Sequence, residues 1–207
     1  QQGWEYVNPY PTGQVIKSMS FINANTGMAI TIDGGTVLNT TNGGLNWISR
    51  VPFPFPLPKN FCSCLVLDEN TWLAGNFSAP VGIFRTTDKG LSWQEIYNTG
   101  ISGSIDNFYR YNENTIYAIH NYAYLKSTDR GNTWTRKEVY SDYLSSIMFI
   151  NDSTGFISGP DSIVLKTTNY GENWFGINVH PVTANYGFSS VMFKNENTGI
   201  CISEYCS

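Results

Sequence analysis

The sequence predicts an all-β fold built from repeated four-stranded antiparallel sheets, and two observations support this prediction. An octet with the pattern [ST]-x-[DN]-x-G-x-x-W occurs four times, and its tryptophans lie 46, 41 and 40 residues apart. Each octet lies between two short runs rich in apolar residues, which is the arrangement expected of a β-hairpin. A period of about 40 to 50 residues with four strands per repeat is typical of the blades of a β-propeller.

Three recurring positions of the octet pattern, the Asp or Asn, the Gly and the Trp, have structural roles that elementary chemistry predicts. The Asn or Asp side chain accepts hydrogen bonds from backbone N–H groups further along and closes the turn, with Asn expected to do so more weakly. Glycine two positions later suits a positive φ, and the tryptophan offers an apolar face for packing between repeats. These positions are Asn42, Gly44 and Trp47; Asp88, Gly90 and Trp93; Asp129, Gly131 and Trp134; and Asn169, Gly171 and Trp174.

At these residues the chain resembles the Asp-box repeat, also called the BNR repeat, of β-propellers. The resemblance covers nearly the whole chain and points to secreted bacterial propellers of the photosystem II assembly-factor-like and sialidase-like superfamily. It implies that each box is a turn between the two outer strands of a blade, on the rim and away from the active face. Xyloglucan-degrading glycosidases and sortilin-type receptors share the motif, so the resemblance fits both enzymes and binding proteins.

The repeats are predicted to form a single propeller domain over residues 1–207. Their boundaries fall at about 14–51, 60–100, 104–140, 143–180 and 186–207, the last being a partial fifth repeat. Their first strands are expected at 18–23, 64–68, 107–111, 146–151 and 190–195. Residues 1–8 resemble a strand that follows a box and could close the ring. The alternatives are a five-bladed ring and a fragment of a longer, six- or seven-bladed propeller.

The composition and the first residues of the sequence indicate which kinds of partner and which cellular location to expect. Only 14% of the 207 residues are charged and the net charge is −4, which argues against a nucleic-acid-binding surface. No apolar run approaches the roughly 18 residues of a membrane span. The sequence begins Gln-Gln-Gly-Trp without an initiator methionine, which favours a secreted or cell-surface protein of bacterial-type export.

The four cysteines leave the redox state open. In the repeat alignment Cys64 takes the place of Met19, Phe108, Ile147 and Val191, and Cys201 takes that of Ala29, Ala74 and Ala118; both positions are expected to face the core. Free buried thiols are therefore favoured, with a Cys201–Cys206 disulfide as the alternative. Cys62 and Cys64 lack the further Cys or His ligands of a zinc site, so no metal or cofactor is expected.

Catalytic groups are sparse in this sequence. Arg85, the nearest arginine to a sialidase-like signature, occupies a repeat position rather than a pocket, and the Arg-Ile-Pro signature of that family is absent. Glycoside hydrolysis needs two carboxylates that flank the bond. The acids available outside the boxes are Asp33, Asp106, Asp161 and Glu204, and His120 and His180 are expected to be ordinary loop residues.

Aromatic residues supply the candidate contact positions. The proline-rich segment 51–58 carries Phe53 and Phe55, which either pack on the domain or form an exposed contact site, with packing favoured. The third repeat is rich in tyrosine, including Tyr122. Its tyrosines either stack on sugar rings or fill half-buried strands, and strand filling is favoured.

The sequence therefore predicts a non-catalytic binding or scaffolding module. Its partner, a protein or a glycan, is expected to dock on the propeller face around the central channel. The alternative is a carbohydrate-active enzyme of the glycoside hydrolase kind, or part of one, with acids on that same face. Nothing in the sequence predicts the oligomeric state.

Overall fold

A computed structural model describes residues 14–31, 36–50, 60–77, 79–139, 143–161, 163–177 and 187–203. All regular secondary structure in these ranges is β-strand. Several predictions concern residues outside them, namely the strand at 1–8, the segment 51–58 with Phe53 and Phe55, Asp33, His180, Glu204 and Cys206.

The chain divides into two compact units, residues 1–104 and 105–207. The first unit contains two four-stranded antiparallel sheets, each with its strands in sequence order. Sheet one consists of β1 (Ile16–Phe21), β2 (Gly27–Thr31), β3 (Val37–Thr40) and β4 (Ile48–Arg50). Sheet two consists of β5 (Phe61–Val66), β6 (Trp72–Asn76), β7 (Gly82–Thr86) and β8 (Gln94–Asn98).

The second unit contains two more such sheets and a two-stranded hairpin. Sheet three consists of β9 (Ile105–Arg110), β10 (Ile116–His120), β11 (Ala123–Ser127) and β12 (Thr135–Glu138). Sheet four consists of β13 (Ser146–Phe149), β14 (Gly155–Ser158), β15 (Val164–Thr167) and β16 (Phe175–Ile177). The hairpin consists of β17 (Phe188–Asn195) and β18 (Thr198–Ser203). The prediction of repeated four-stranded antiparallel sheets is confirmed.

Within each unit, consecutive sheets pack face to face in one recurring way. The first strand of the following sheet lies on the first two strands of the preceding one: β5 on β1 and β2, β13 on β9 and β10, and β17 on β13 and β14. In unit one this contact buries Met28, Ile30 and Phe61 completely. Burial of each such side chain stabilises the fold by about 1.5–3 kcal/mol.

The same packing builds the two cores of the second unit. Between sheets three and four, Tyr117, Tyr124, Phe149 and their neighbours form one buried cluster. Between sheet four and the hairpin, Phe156, Val164, Phe188 and Val191 form another. Side chains of alternate strand residues therefore supply the core, as the pleat of a β-strand requires.

Cys64, Cys201 and the residues aligned with them were predicted to face the core, and most of these side chains are buried or partly buried. Met19 is the exception. Cys62 and Cys64 are buried thiols, and Cys201 is a partly buried thiol beside the cluster of sheet four. Burial raises the pKa of the Cys64 thiol to about 12, so it is not a nucleophile at neutral pH. Met19 was predicted to face the core and is 59% exposed, because within unit one no described sheet lies on that side of β1.

The expectation for His120 was also wrong. His120 is not a loop residue but the last residue of β10, and it is completely buried. It pairs with Ala123 across the tight β10–β11 turn, where a loop residue would have been exposed. The turn is confined to Asn121 and Tyr122, so the strand continues through His120.

Candidate functional site

The four boxes form turns between the third and fourth strand of each sheet, and their hydrogen bonds are local. In the second copy, Thr86 Oγ1 donates to Asp88 Oδ1 at 2.7 Å and accepts from Gly90 N at 3.0 Å. Asp88 Oδ1 also accepts from Ser92 N at 2.9 Å. The same three bonds recur in the other copies, at Thr40, Asn42 and Asn46; at Ser127, Asp129 and Thr133; and at Thr167, Asn169 and Asn173.

The box glycines adopt the left-handed conformation that the sequence predicts. Gly44, Gly90, Gly131 and Gly171 have φ of 88°, 81°, 79° and 81°. The residue before each of them also has positive φ, for example 65° at Tyr170, which sequence reasoning missed. Sequence reasoning also gave no role to the opening Ser or Thr, whose hydroxyl joins the Asp or Asn side chain to the glycine N–H.

A second turn at the same end of each sheet supports the box. Between the first and second strands of sheet two, Asp68 Oδ1 accepts from Asn70 N and Thr71 N at 2.9 and 2.8 Å. The box then donates from Lys89 N to Asn70 O at 3.1 Å. Equivalent bonds join the two turns in sheets one, three and four, so this end, hereafter the box end, is braced by backbone hydrogen bonds.

The box tryptophans are packed rather than solvated. Trp134 is buried and donates from Nε1 to Gly131 O at 3.1 Å, whereas the other three are partly buried. Trp93 and Trp174 border clusters that contain residues of two sheets. Trp47 contacts Phe21 of its own sheet with ring centroids 6.0 Å apart.

Hydrogen bonds stabilise the ionised form of the box acids Asp88 and Asp129, and this makes the stability of the fold depend on pH. Hydrogen bonds from Ser92 Oγ and N, and from Thr86 Oγ1, lower the pKa of Asp88 from 3.8 to about 2. At Asp129 burial opposes the shift, but bonds from Thr133, Ser127 and Asn132 still lower the pKa. A carboxyl whose folded pKa is lowered stabilises the fold above its unfolded pKa and loses that contribution as pH falls through the folded value.

We therefore expect Asp88→Asn to reduce the loss of stability between about pH 5 and pH 2, because asparagine cannot be protonated in that range. The chain itself uses asparagine at Asn42 and Asn169, so the substitution keeps the turn. The measurement is the thermal unfolding midpoint across this pH range. Asp161→Asn, which removes an exposed carboxyl outside the boxes, is the control. An unchanged acid dependence in Asp88→Asn would contradict the assignment.

The opposite end of each sheet, hereafter the loop end, carries the connections between second and third strands and between consecutive sheets. In sheet three it contains Tyr122, a contact residue proposed from the sequence. Tyr122 follows Asn121, which has a φ of 52° in the tight β10–β11 turn. The guanidinium of Arg136 lies over the Tyr122 ring, 5.3 Å from its centroid, and Arg136 Nη1 pairs with Glu138 Oε1 at 2.8 Å.

Backbone hydrogen bonds fix this turn to the segment that follows sheet three. Val139 N donates to Tyr122 O at 3.1 Å, and Leu144 N donates to Asn121 O at 2.7 Å. Leu144 is buried, whereas the adjacent Tyr143 is 63% exposed. Tyr122, Arg136, Glu138 and Tyr143 are called the loop-end surface below. It offers two aromatic rings, a cation and a carboxylate on a braced backbone.

The other tyrosines of sheet three are core residues. Tyr117 and Tyr124 are buried, and the Tyr117 ring stacks on Phe149 with centroids 4.4 Å apart. Burial raises the pKa of Tyr124 to about 12, and its hydroxyl donates to Gly171 O at 3.2 Å. Strand filling, rather than stacking on sugar, is therefore the role of these two rings.

Two of the candidate acids lie in the described part of the chain. Asp106 is exposed on β9, and Asp161 is exposed in the β14–β15 connection with a φ of 52°. Within the described ranges no three His, Cys, Asp or Glu side chains form a group that could hold a metal ion. Those ranges also contain no helix of the length and apolar character needed to cross a membrane.

A polar groove of about 400 Å³ lies at the box end of unit one. It is lined by side chains of the first turns and boxes of sheets one and two: Asn23, Asn25, Thr26, Thr41, Glu69 and Lys89. Asn23 Oδ1 already accepts from Asn25 N and Thr26 N at 2.8 Å each. This side chain is therefore committed to the turn that shapes the groove.

No protein-family model matches the chain, and no curated protein matches it at a significant level. Solved structures are similar at the level of fold. "YCF48 bound to D1 peptide" is 15% identical with a TM-score of 0.51, over 94% of this chain and 90% of that one. The WD40 β-propeller domain of Doa1 is 10% identical with a TM-score of 0.67, over 92% of this chain and 62% of that one.

Two longer proteins also contain a similar structure. The extracellular domain of the putative one-component system BT4673 from B. thetaiotaomicron is 13% identical with a TM-score of 0.73, over 98% of this chain. AFV00434, an ancestral GH74 enzyme, is 20% identical with a TM-score of 0.64, over 87% of this chain. This chain spans 28% and 26% of their respective lengths. Together with its sheets, these likenesses establish that the chain has a β-propeller fold.

Proposed function

We propose that this β-propeller is a non-catalytic, exported binding module that recognises a protein partner through its loop end. The observation that carries the proposal is the loop-end surface itself. Tyr143 is 63% exposed beside a turn whose backbone is fixed, and Arg136 holds the Tyr122 ring in place. Tyrosine and arginine are the residue types that most often dominate the energy of protein interfaces.

The contrast between the two ends of the sheets supports this choice of surface. At the box end, the side chains of Asp88 and Asp129 and the hydroxyls beside them are used by the turns. At the loop end of sheet three, backbone bonds hold the turn, so its shape does not depend on the side chains that would meet a partner. A rigid backbone carrying exposed aromatic side chains binds with a smaller loss of conformational entropy.

The similar structures support protein binding and also an enzymatic alternative. One of them holds a peptide, and others are the extracellular domain and the GH74 enzyme described above. A glycoside hydrolase would need two acids about 5 Å or 6.5–9.5 Å apart, and Asp106 and Asp161 are the described candidates. A glycan partner at the same surface is the other alternative, since tyrosine rings also stack on sugars.

Selection of displayed peptides on the immobilised chain tests the proposal. We expect enriched peptides to lose at least about tenfold in affinity with Tyr143→Ala, equivalent to about 1.4 kcal/mol. Tyr170→Ala is the matched control, because Tyr170 is 59% exposed but lies in a box. Its affinities should equal those of the wild type.

Two outcomes would contradict the proposal. Equal losses with Tyr143→Ala and Tyr170→Ala would show that the peptides do not distinguish the two ends. Release of reducing sugar from a panel of plant polysaccharides, abolished by Asp106→Asn or Asp161→Asn, would establish the enzymatic alternative instead.

A further inference from the structure

The contact between sheets one and two includes hydrogen bonds as well as apolar packing. Cys64 N, on β5, donates to Ser18 Oγ at 3.3 Å, and Val66 N donates to Ser20 Oγ at 3.0 Å. The N–H groups on the outer edge of β5, the first strand of sheet two, are therefore the hydrogen-bond donors. Serine hydroxyl groups on β1, the first strand of sheet one, are the acceptors.

The same contact occurs between sheet four and the hairpin. Val191 N, on β17, donates to Ser146 Oγ at 3.1 Å, and Phe193 N approaches Met148 Sδ at 3.0 Å. In the repeat alignment Val191 corresponds to Cys64, and Ser146 corresponds to Ser18. The same arrangement therefore occurs twice in the chain. We call the first two strands of the preceding sheet the receiving half of the contact, and the first strand of the following sheet the inserting half.

Side chains of the receiving half are fully covered when the contact is made. In sheet one they include Met28 and Ile30 on β2, which are 0% exposed beneath β5. On the inserting half, Cys64 and Val66 are also buried. Both halves therefore lose nearly all solvent contact, which is the main source of stability for such packing.

The hairpin carries a receiving half that is uncovered. Ser190 occupies the position of Ser18, and Met192 lies opposite Ile200 as Ser20 lies opposite Met28. Met192, Ile200 and Ile202 are 63%, 61% and 56% exposed. Contiguous large apolar side chains with this exposure mark an interaction site.

Strand β1 carries an inserting half that is uncovered. Met19 and Phe21 occupy the positions of Cys64 and Val66, and they are 59% and 42% exposed. Because β1 is an edge strand of sheet one, its outward N–H groups at these residues are placed as those of β5 are. An open edge of this kind is a template for further pairing.

We propose that the hairpin β17–β18 of one copy of this chain receives strand β1 of a second copy. Met19 N and Phe21 N then donate to Ser190 Oγ and Met192 Sδ, and the Met19 and Phe21 side chains cover Ile200 and Ile202. Donors meet acceptors and apolar groups meet apolar groups, as in the contact of β5 with sheet one and the contact of β17 with sheet four. Each copy has one half of each kind, so the association is head to tail and either closes into a ring or extends.

Sedimentation velocity of the 207-residue chain at increasing concentration tests this directly. The wild type should form species larger than its 23.2 kDa monomer. Met19→Lys removes the inserting half and Ile200→Lys the receiving half, so each variant alone should stay monomeric. Both residues are exposed, and circular dichroism should show an unchanged fold.

Mixing the two variants distinguishes this association from any other. Each retains the half that the other lacks, so an equimolar mixture should form a two-chain complex and nothing larger. Leu91→Lys, which places the same charge at an exposed leucine in a box, should behave as the wild type. A monomeric wild type at every concentration, or a mixture that stays monomeric, would overturn the proposal and assign these surfaces to another partner.

Discussion

Replacement of Phe149 by alanine is expected to lower the free energy of unfolding by about 3–5 kcal/mol, a larger loss than any surface substitution should cause. Phe149 is buried at the end of β13, where its ring stacks on Tyr117. It also forms a T-shaped contact with Trp174, with ring centroids 6.0 Å apart. Truncation removes the transfer free energy of the ring and leaves a cavity among rigid aromatic neighbours that cannot collapse into it.

Urea unfolding followed by tryptophan fluorescence measures this effect. Phe175→Ala is the matched control, because Phe175 is an exposed phenylalanine in the same sheet, and its removal should change stability by less than about 0.5 kcal/mol. Equal effects of the two substitutions would show that the cluster between sheets three and four does not stabilise the fold as its burial implies.

The box turns were predictable from sequence because the hydrogen bonds that close them are local. Thr86, Asp88, Gly90 and Ser92 meet through hydrogen bonds that span two to four residues, so the spacing alone contains the geometry. One further signal was present and missed. The Asp boxes carry a hydroxyl four residues later, and Ser92 Oγ donates to Asp88 Oδ2 at 2.5 Å.

The copies with Asn lack that hydroxyl and have Asn46 and Asn173 at the same position. A second carboxylate oxygen can accept a second hydrogen bond, whereas the NH2 group of an amide cannot. The choice of Asp or Asn is therefore coupled to the residue four positions later. This correlation between two positions recurs in all four copies, so the sequence alone indicates that the two side chains meet in the turn.

Burial at aligned positions was not predictable, because it depends on what lies across the sheet. Met19 and Cys64 share a place in the repeat, yet one is 59% exposed and the other is buried under a neighbouring sheet. The loop-end surface could not be predicted from the sequence either. Tyr122 was a candidate from composition, but its contact with Arg136 joins residues fourteen apart across a hairpin whose register the sequence does not specify.

Replacement of Gly171 by alanine is expected to cost about 2–5 kcal/mol, for two separable reasons. Gly171 has a φ of 81°, where an alanine costs about 1–2 kcal/mol in backbone strain. Its new Cβ would also lie 2.7 Å from Tyr124 Oη, in a buried site where overpacking costs about 1–3 kcal/mol.

A double-mutant cycle with Tyr124→Phe separates these causes, because it removes the hydroxyl that the new Cβ meets and leaves the backbone conformation unchanged. In the Tyr124→Phe background, Gly171→Ala should cost only the backbone contribution of about 1–2 kcal/mol. Gly176→Ala is the control in the same sheet, since nothing lies within 4 Å of its Cβ position. If Gly171→Ala costs the same in both backgrounds, the steric contact contributes nothing. The box glycine would then be required for its conformation alone, and the tight approach of Tyr124 would be a consequence of the turn rather than a constraint on it.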